Sequence, residues 1–445
     1  MGRPSGMRSL AVWTNGVRLA TWSVGTRGDM ELQYDAAWQA SPAGRPLSLS
    51  LPFGADGTPL RGQAVDSYFD NLLPDSNDIR KRLANRFRTR TLQPFDLLEA
   101  IGRDCAGAVQ LLPEGEEPTG FDRIEGTRLT DAQIEAHLDS MLAPPPPGHD
   151  QDDDFRLSIA GAQEKSALLK VGNRWLMPHG ATPTTHILKL PLGLVGNRKA
   201  DLSTSVENEW LCMQLLQAFG LPVARTSIED FGSRRVLCVE RFDRQLHPSG
   251  NWIVRLPQED FCQVNGLPPM LKYEADGGPG VKAIADVLAG SERAQEDIAT
   301  LLRAQVLFWL LAATDGHAKN FRIHLLPQGR YRLTPLYDVM SMLPVMGTAP
   351  NQFSWHKAKL AMAVAGKNRH YMLKDIQRRH FNAMAPKCGY GRDAEPLIQS
   401  LLERAPAAVE EVNAKVPRGF PQQVLDTILE GLKAAANKLA AMPPS

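Results

Sequence analysis

The segment AATDGHAKNF, Ala312 to Phe321, ends a long apolar run on Asp315 and sets His317, Lys319 and Asn320 behind it. Carboxylate and amide groups just past a buried helix cost desolvation free energy unless something binds them. Further on, YRLTPLYDV ends in Asp338. Period-two alternation on both sides of Gln328-Gly329 predicts a hairpin, and paired strands bring their outer ends together. Asn320 and Asp338, 18 positions apart, are therefore expected as neighbours, with Asp315 on the loop leading in. Two carboxylates and an amide oxygen suit Mg²⁺, which takes few protein ligands and keeps water and phosphate oxygens. The five-residue step from Asp315 to Asn320 is that of a kinase catalytic loop. There the Asp orients a hydroxyl and takes its proton, the Asn holds metal, and a later Asp holds metal from a second segment. Taken singly, the three residues read as a turn cap, a strand start and an Asx-turn. Together around one hairpin they favour chemistry. His317 reads either as a catalytic or phosphate-binding group or as a hydrogen-bonding spacer of the loop.

Phosphoryl transfer also needs a nucleotide clamp. In LSIAGAQEKSALL, Gly161 lies between Ala160 and Ala162, at a turn whose free N–H groups can meet phosphate. One glycine is a weak signal. Lys189 in HILKLP is a stronger one: it shares a strand face with Ile187, opposite Leu188 and Leu190, where a lysine meets nucleotide phosphates. Its alternative is an edge-strand lysine that deters sheet pairing. Glu240, Arg241 and Phe242 follow the strand in VLCVERFDR, where a hinge backbone can read adenine's edge; a charged strand exit looks the same. Zinc-ligand spacing and a G-x-S-x-G elbow are both missing, which disfavours metallohydrolase and serine-hydrolase chemistry.

These residues need elements to position them. A chain of 445 residues is too long for one ordinary core. Its net charge of +1 argues neither for nor against nucleic acid, since any basic footprint would be local. The five scattered cysteines fit a reducing compartment. The N-terminus lacks a signal-type apolar core, and Met7 is an alternative start. LLRAQVLFWLLAA is too short and too polar to span a bilayer, so a cytoplasmic protein with no membrane partner is expected.

A first region, 8–140, opens with a hairpin turned at Asn15-Gly16 and becomes helical after Pro74. MLAPPPPGHDQDDDF reads as a link. A strand-rich region, 150–245, contains a helix over 203–219, with Thr204 and Glu207 at capping-box spacing and Trp210, Met213 and Leu216 on one face. The remainder, 246–440, reads as a helical lobe with a long helix over about 292–313. From Phe353 onward it is expected to be mostly helix, broken at Gly366 and at Pro-rich points.

Ten blocks in order, among them RPLSLSLP, FDNLLPDS, AGAQEK, TPTTHILKLP, VERFDR, RLPQED, KYEADGGPG and AATDGHAKNF, resemble the HipA family of serine/threonine-protein kinase toxins over nearly the whole chain. The resemblance implies an α+β, bilobal protein-kinase-like fold preceded by an N-terminal α/β domain. It implies ATP and Mg²⁺ as cofactors. Asp315 matches the catalytic aspartate, Asn320 and Asp338 the metal pair, and Lys189 the nucleotide lysine. Ala160, Gly161, Ala162, Gln163, Glu164 and Lys165 match the phosphate loop. Glu240, Arg241 and Phe242 match the adenine hinge, and His317, Tyr337, Asp338, Val339 and Met340 match further nucleotide contacts. Ser158 matches the serine whose autophosphorylation ejects that loop and turns the kinase off. The family's known targets imply glutamate–tRNA ligase as substrate, with inhibited translation and a dormant, drug-tolerant state as the result. Implied partners are a helix-turn-helix antitoxin dimer and, through that complex, operator DNA. Arg378 and Arg379 in KDIQRRHF are the basic residues expected to touch it. Alternatives are a kinase of another aminoacyl-tRNA ligase or of a small molecule, and a non-catalytic DNA-bound co-repressor.

Overall fold

A computed structural model describes residues 6–54, 57–142, 157–158, 163–196 and 198–444. Asn15 and Gly16 both take positive φ, 47° and 79°, as a tight hairpin turn requires, and Arg8–Thr14 pairs antiparallel with Val17–Val24 around them. The resulting sheet runs Leu60–Arg61, Met30–Tyr34, Val17–Val24, Arg8–Thr14, Gln110–Pro113. Helices Gln63–Asp70 and Pro94–Ile101 cover it: Trp22 stacks on Phe69 at 3.8 Å and meets Phe95 at 4.8 Å. Helix Asn77–Phe87 starts after Pro74 as expected, with Ser76 accepting from the Ile79 N–H as its cap. The helix before Pro74 was not legible in its turn-rich surroundings.

A second sheet is antiparallel throughout, in the order Thr226–Phe231, Arg234–Glu240, His186–Lys189, Lys165–Val171, Arg174–Pro178, Gly126–Arg128. Gly126–Arg128 and the helix Asp131–Leu142 thus belong with this sheet, because Ile134 and Leu138 pack against Leu168, Trp175 and Leu188. The region drawn as 8–140 therefore gives up its last part: a three-residue polar strand carries almost no periodic signal. The expected link falls largely on 143–156, outside the described residues. Lys189 stands on a central strand rather than an edge, with neighbours on both sides.

Helix Ser205–Ala218 departs from its expected single apolar face. It is buried almost all round, Glu207, Asn208 and Glu209 included. Thr204 makes no side-chain cap bond, and Glu207 turns instead to Arg235 at 3.5 Å. The core it enters continues into the long helix Ala294–Leu310. After that helix, Arg322–Leu325 and Tyr331–Leu333 form the predicted hairpin, with Gln328 and Gly329 at φ 64° and 71°. Gln258–Asp260 adds a third strand.

One expected helix is absent. Lys359–Ala365 and Arg369–Met372 form an antiparallel hairpin around Gly366. LAMAVA is a continuous apolar run, which periodicity cannot assign to strand or helix. Helices Arg378–Lys387, Glu395–Asn413 and Gln422–Ala441 follow. The outcome is an α+β chain with a strand-rich lobe and a mainly helical one. Among the described residues no helix is long and apolar enough to cross a membrane.

The N-terminal domain touches both lobes. Asp104–Cys105 pairs in parallel with Leu157–Ser158. The Asp104 carboxylate accepts from Arg244 at 2.8 Å and Arg255 at 3.3 Å, and pairs with Arg241 at 3.4 Å. Glu259, buried on the third strand Gln258–Asp260, accepts from the Leu49 N–H at 2.9 Å and from the Ser48 hydroxyl. Burial pushes its carboxyl up to about 8, against the pull of those two hydrogen bonds.

Candidate active site

The chain leaves helix Ala294–Leu310 through a left-handed Ala312 (φ 49°) and reaches Asp315, whose carboxylate accepts from the Tyr273 hydroxyl at 2.7 Å. A short 3₁₀ turn, Ala318–Asn320, follows. The Asn320 amide nitrogen donates to the Asp315 carbonyl at 2.9 Å and reaches the Asp338 carbonyl at 3.5 Å. The predicted approach of Asp315, Asn320 and Asp338 across the hairpin ends is thus present in the structure. With its nitrogen committed inward, Asn320 leaves its carbonyl oxygen for an outside partner. Asp338 takes φ 60°, a conformation that Asp tolerates better than most residues.

Lys189 ties this loop to the small lobe. Its Nζ donates to both Glu209 oxygens, at 2.7 and 3.0 Å, and to Asp338 Oδ1 at 2.7 Å. Burial would lower the lysine's pKa, but Asp338 and Glu209 outweigh it and raise it above the ordinary value. Burial would likewise raise Asp338, yet Lys189 and then Lys165 hold it well below the usual carboxylate range. Glu209 goes the other way, pushed up to about 7 by burial despite Lys189. The lysine therefore stays charged at neutral pH, held by both of its carboxylates. A strand lysine bound to a helix glutamate is the ion pair that protein kinases require in place.

Lys165 faces Lys189 from the next strand and is pushed down to about 8 by burial and by that neighbouring charge. Gln163 donates to the Leu190 carbonyl at 2.6 Å, and Glu164 pairs with Arg82 of the N-terminal domain. Ala160, Gly161 and Ala162 lie outside the described residues. His317 is buried against Tyr273, ring centroids 5.1 Å apart, and burial lowers its pKa; its Nδ1 has no hydrogen-bond partner among the described residues. Tyr337 is committed to the scaffold, donating to the Lys319 carbonyl and accepting from Arg322 Nε at 2.6 Å. Val339 is buried, and Met340 is half-buried beside it.

A HipA-like C-terminal domain model matches residues 157–409, more than half of the chain, and a HipA N-terminal domain model matches 10–112. The chain belongs to the HipA family. Y4mE of Sinorhizobium fredii, whose name assigns it provisionally to the kinases, is 32% identical over 414 residues, 92% of each chain. The serine/threonine-protein kinase toxin HipA of Shewanella oneidensis is 27% identical over 410 residues, 88% of this chain and 86% of that one. The HipA from Shewanella oneidensis MR-1, solved with HipB and operator DNA, superposes with a TM-score of 0.77 at 24% identity, covering 97% of both chains. The family is one of serine/threonine-protein kinases, and the bilobal kinase-like fold is shared.

Within this HipA-family frame, two expected contacts need correction. Arg241 does not reach toward a nucleotide. Its guanidinium is buried between Asp243 at 2.8 Å and Asp104 at 3.4 Å, and the Arg241 backbone N–H donates to the Thr185 carbonyl at 2.9 Å. The Glu240 N–H is also taken, by the Arg225 carbonyl at 2.9 Å. Of the expected hinge, Phe242 is the member whose ring approaches the catalytic side, 5.7 Å from Tyr337. Arg378 is likewise no free cation for DNA: it is 8% exposed and donates to Glu395 through Nε at 2.9 Å and through NH2 at 2.5 Å. A helix-wheel count of basic residues cannot see such a partner. Arg379 is exposed. Ser158 is fully buried, donating to the Leu72 carbonyl at 2.8 Å. Glu209 and Tyr273 went unnoticed in the sequence. A glutamate on the first helix after the lysine strand was the signal for Glu209; nothing local marks Tyr273.

Proposed function

We propose that this HipA-family chain transfers the γ-phosphoryl group of ATP, with Mg²⁺, to a serine of a protein target and acts as the growth-arresting toxin of a toxin–antitoxin pair. The observation that carries this reading is the Lys189 bridge, which joins the helix glutamate Glu209 to Asp338 beside Asp315 and Asn320. The donor set fits the metal. Asp338 and the side-chain oxygen of Asn320, brought together by the Asn320 contact to the Asp338 carbonyl at 3.5 Å, are hard oxygen donors and would hold it with phosphate and water oxygens. When bound, Mg²⁺ neutralises charge on the transferring phosphoryl group. The chain's own part is positional. Asp315, fixed by Tyr273, takes the proton of the acceptor hydroxyl as its oxygen bonds to phosphorus and ADP leaves. Lys189 and Lys165 offer cations to the nucleotide's phosphates, and Gln163 and Glu164 anchor the segment leading out of the expected phosphate loop.

Glutamate–tRNA ligase is the proposed target, which would lower tRNA charging and translation. An antitoxin dimer of helix-turn-helix type and operator DNA are the proposed partners; a structural relative solved with HipB and operator DNA supports this. Arg379 remains the candidate phosphate contact from the helical lobe. Phosphoproteomics after brief induction of wild type against Asp315→Asn tests the activity and names the target together. A wild-type profile identical to the variant's would overturn the kinase reading; a different ligase would change the target alone.

Asn320→Ala should weaken ATP binding chiefly when Mg²⁺ is present, because its oxygen acts through the ion. ATP titrations with and without Mg²⁺ check this, and equal losses would make Asn320 structural.

Ser158 is the proposed site of self-inactivation. A phosphate of about −1.5 to −2 charge cannot stay buried against the Leu72 carbonyl, so modification would expel the strand Leu157–Ser158 and the loop behind it. Intact mass and peptide mapping after incubation with MgATP should show a single phosphate on Ser158 and lost ATP binding in that fraction. Full modification with undiminished affinity would end the proposal.

A further inference from the structure

Two lysines that flank the catalytic groups end on one carboxylate outside the kinase lobes. Lys319, immediately before Asn320, donates to Asp75 Oδ1 at 2.9 Å and to Asn71 Oδ1 at 2.9 Å. Lys272, immediately before the Tyr273 that holds Asp315, donates to Asp75 Oδ2 at 2.8 Å. The same strip of backbone grips the loop directly, since the Ala318 N–H donates to the Lys272 carbonyl at 3.2 Å. Asp75 lies between the N-terminal domain's helices Gln63–Asp70 and Asn77–Phe87. Lys319 is buried, and Asp75 and Lys272 are nearly so. Burial would raise the Asp75 carboxyl, but Lys319 and Lys272 together keep it well below the usual carboxylate range.

We infer that Asp75 is a positioning residue for phosphoryl transfer: from the N-terminal domain it fixes the loop that carries Asp315 and Asn320. The inference rests on the kinase reading of that loop. The geometry explains why one carboxylate is needed. Two ammonium groups converge on it, and without a counter-ion in a half-dry site they repel each other, one of them bonded to the chain next to the metal-side amide. Asn71 cannot replace it, because its neutral oxygen already serves Lys319 and its nitrogen is spent on the Ser67 and Leu267 carbonyls, both at 2.8 Å. The N-terminal domain is thereby a structural part of the catalytic unit, and the strip 71–75 also receives the Ser158 hydroxyl at Leu72.

The test compares Asp75→Asn and Asp75→Glu with Asp70→Asn in the full chain. Asp70 pairs with Arg80 at 2.7 Å in the same strip but touches nothing in the catalytic loop. ADP formation from MgATP, ATP binding without Mg²⁺ and amide exchange over Lys319–Phe321 are the readouts. Asp75→Asn should lower turnover about 10–100-fold, the usual cost of removing a group that orients a ligand-bearing residue. It should speed exchange in the loop and leave Mg²⁺-free ATP affinity unchanged. Asp75→Glu should recover part of both losses, and Asp70→Asn should match wild type. Unchanged exchange in the loop, or loss of turnover in step with loss of nucleotide binding and of overall fold, would overturn the inference. Should wild type form no ADP, the kinase reading fails, and the exchange comparison alone still decides whether Asp75 positions the loop.

Discussion

Asp315→Asn is expected to lower phosphoryl transfer by on the order of 10²–10⁴, the contribution of a positioned proton acceptor, and to leave the fold intact. The substitution keeps shape and volume. Asn can still accept from the Tyr273 hydroxyl, now 2.7 Å from the carboxylate, and the backbone carbonyl that receives the Asn320 amide is unchanged. Only the capacity to take the acceptor's proton is removed. The loss should fall on kcat, with ATP affinity preserved, since nothing in the geometry has Asp315 touching Lys189 or Lys165. Initial rates on purified protein check this, with an unfolding curve as control. Near wild-type rates would remove Asp315 from its role.

Lys189→Met should have the largest effect on both activity and stability. Lys189 is 6% exposed and is the shared cation of Glu209 and Asp338. Removing one partner of a buried pair costs about 3–5 kcal/mol, because the partners left behind keep their desolvation penalty. Here two carboxylates would face each other, with Lys165 the cation left near them. Adding Glu209→Gln removes one of those charges, so Lys189→Met/Glu209→Gln should regain much of the stability and none of the activity. Urea denaturation midpoints for the single and double variants, read beside turnover, separate the two roles. A double variant no more stable than Lys189→Met would mean that packing rather than charge sets the loss.

The hairpin after Asn320 was legible because its signals are local and strong: alternation on both sides of a Gln-Gly turn, with Asn and Asp at its ends. The Asn15-Gly16 hairpin was legible for the same reason, and the structure gives both residues the positive φ that such a turn needs. What the sequence hid is non-local. Glu209 lies 20 positions from Lys189, and Asp75 is 244 from Lys319, so no window contains either pair. Arg378 shows the converse error: it read as a cation open to DNA, and it is consumed by Glu395, 17 positions on. The run LAMAVA failed for a third reason, since an element buried on both faces has no period to read.

All five cysteines are free and buried. Cys212, Cys262 and Cys388 lie within the large core and Cys238 within the small-lobe core. Cys105 differs in its surroundings, for it occupies the strand register directly opposite Ser158, at the seam between the N-terminal domain and the kinase lobes. Burial, then the Asp104 charge, pushes its thiol up to about 12, so almost no thiolate exists while the seam is closed. In molecules where Leu157–Ser158 has left, as proposed for the phosphorylated form, Cys105 would lose the strand opposite it, while the other four stay within their cores. A thiol-alkylating reagent applied for a short pulse would therefore mark one cysteine in molecules whose seam has parted and all five in molecules that have unfolded. The chain carries its own chemical clock for telling the two apart.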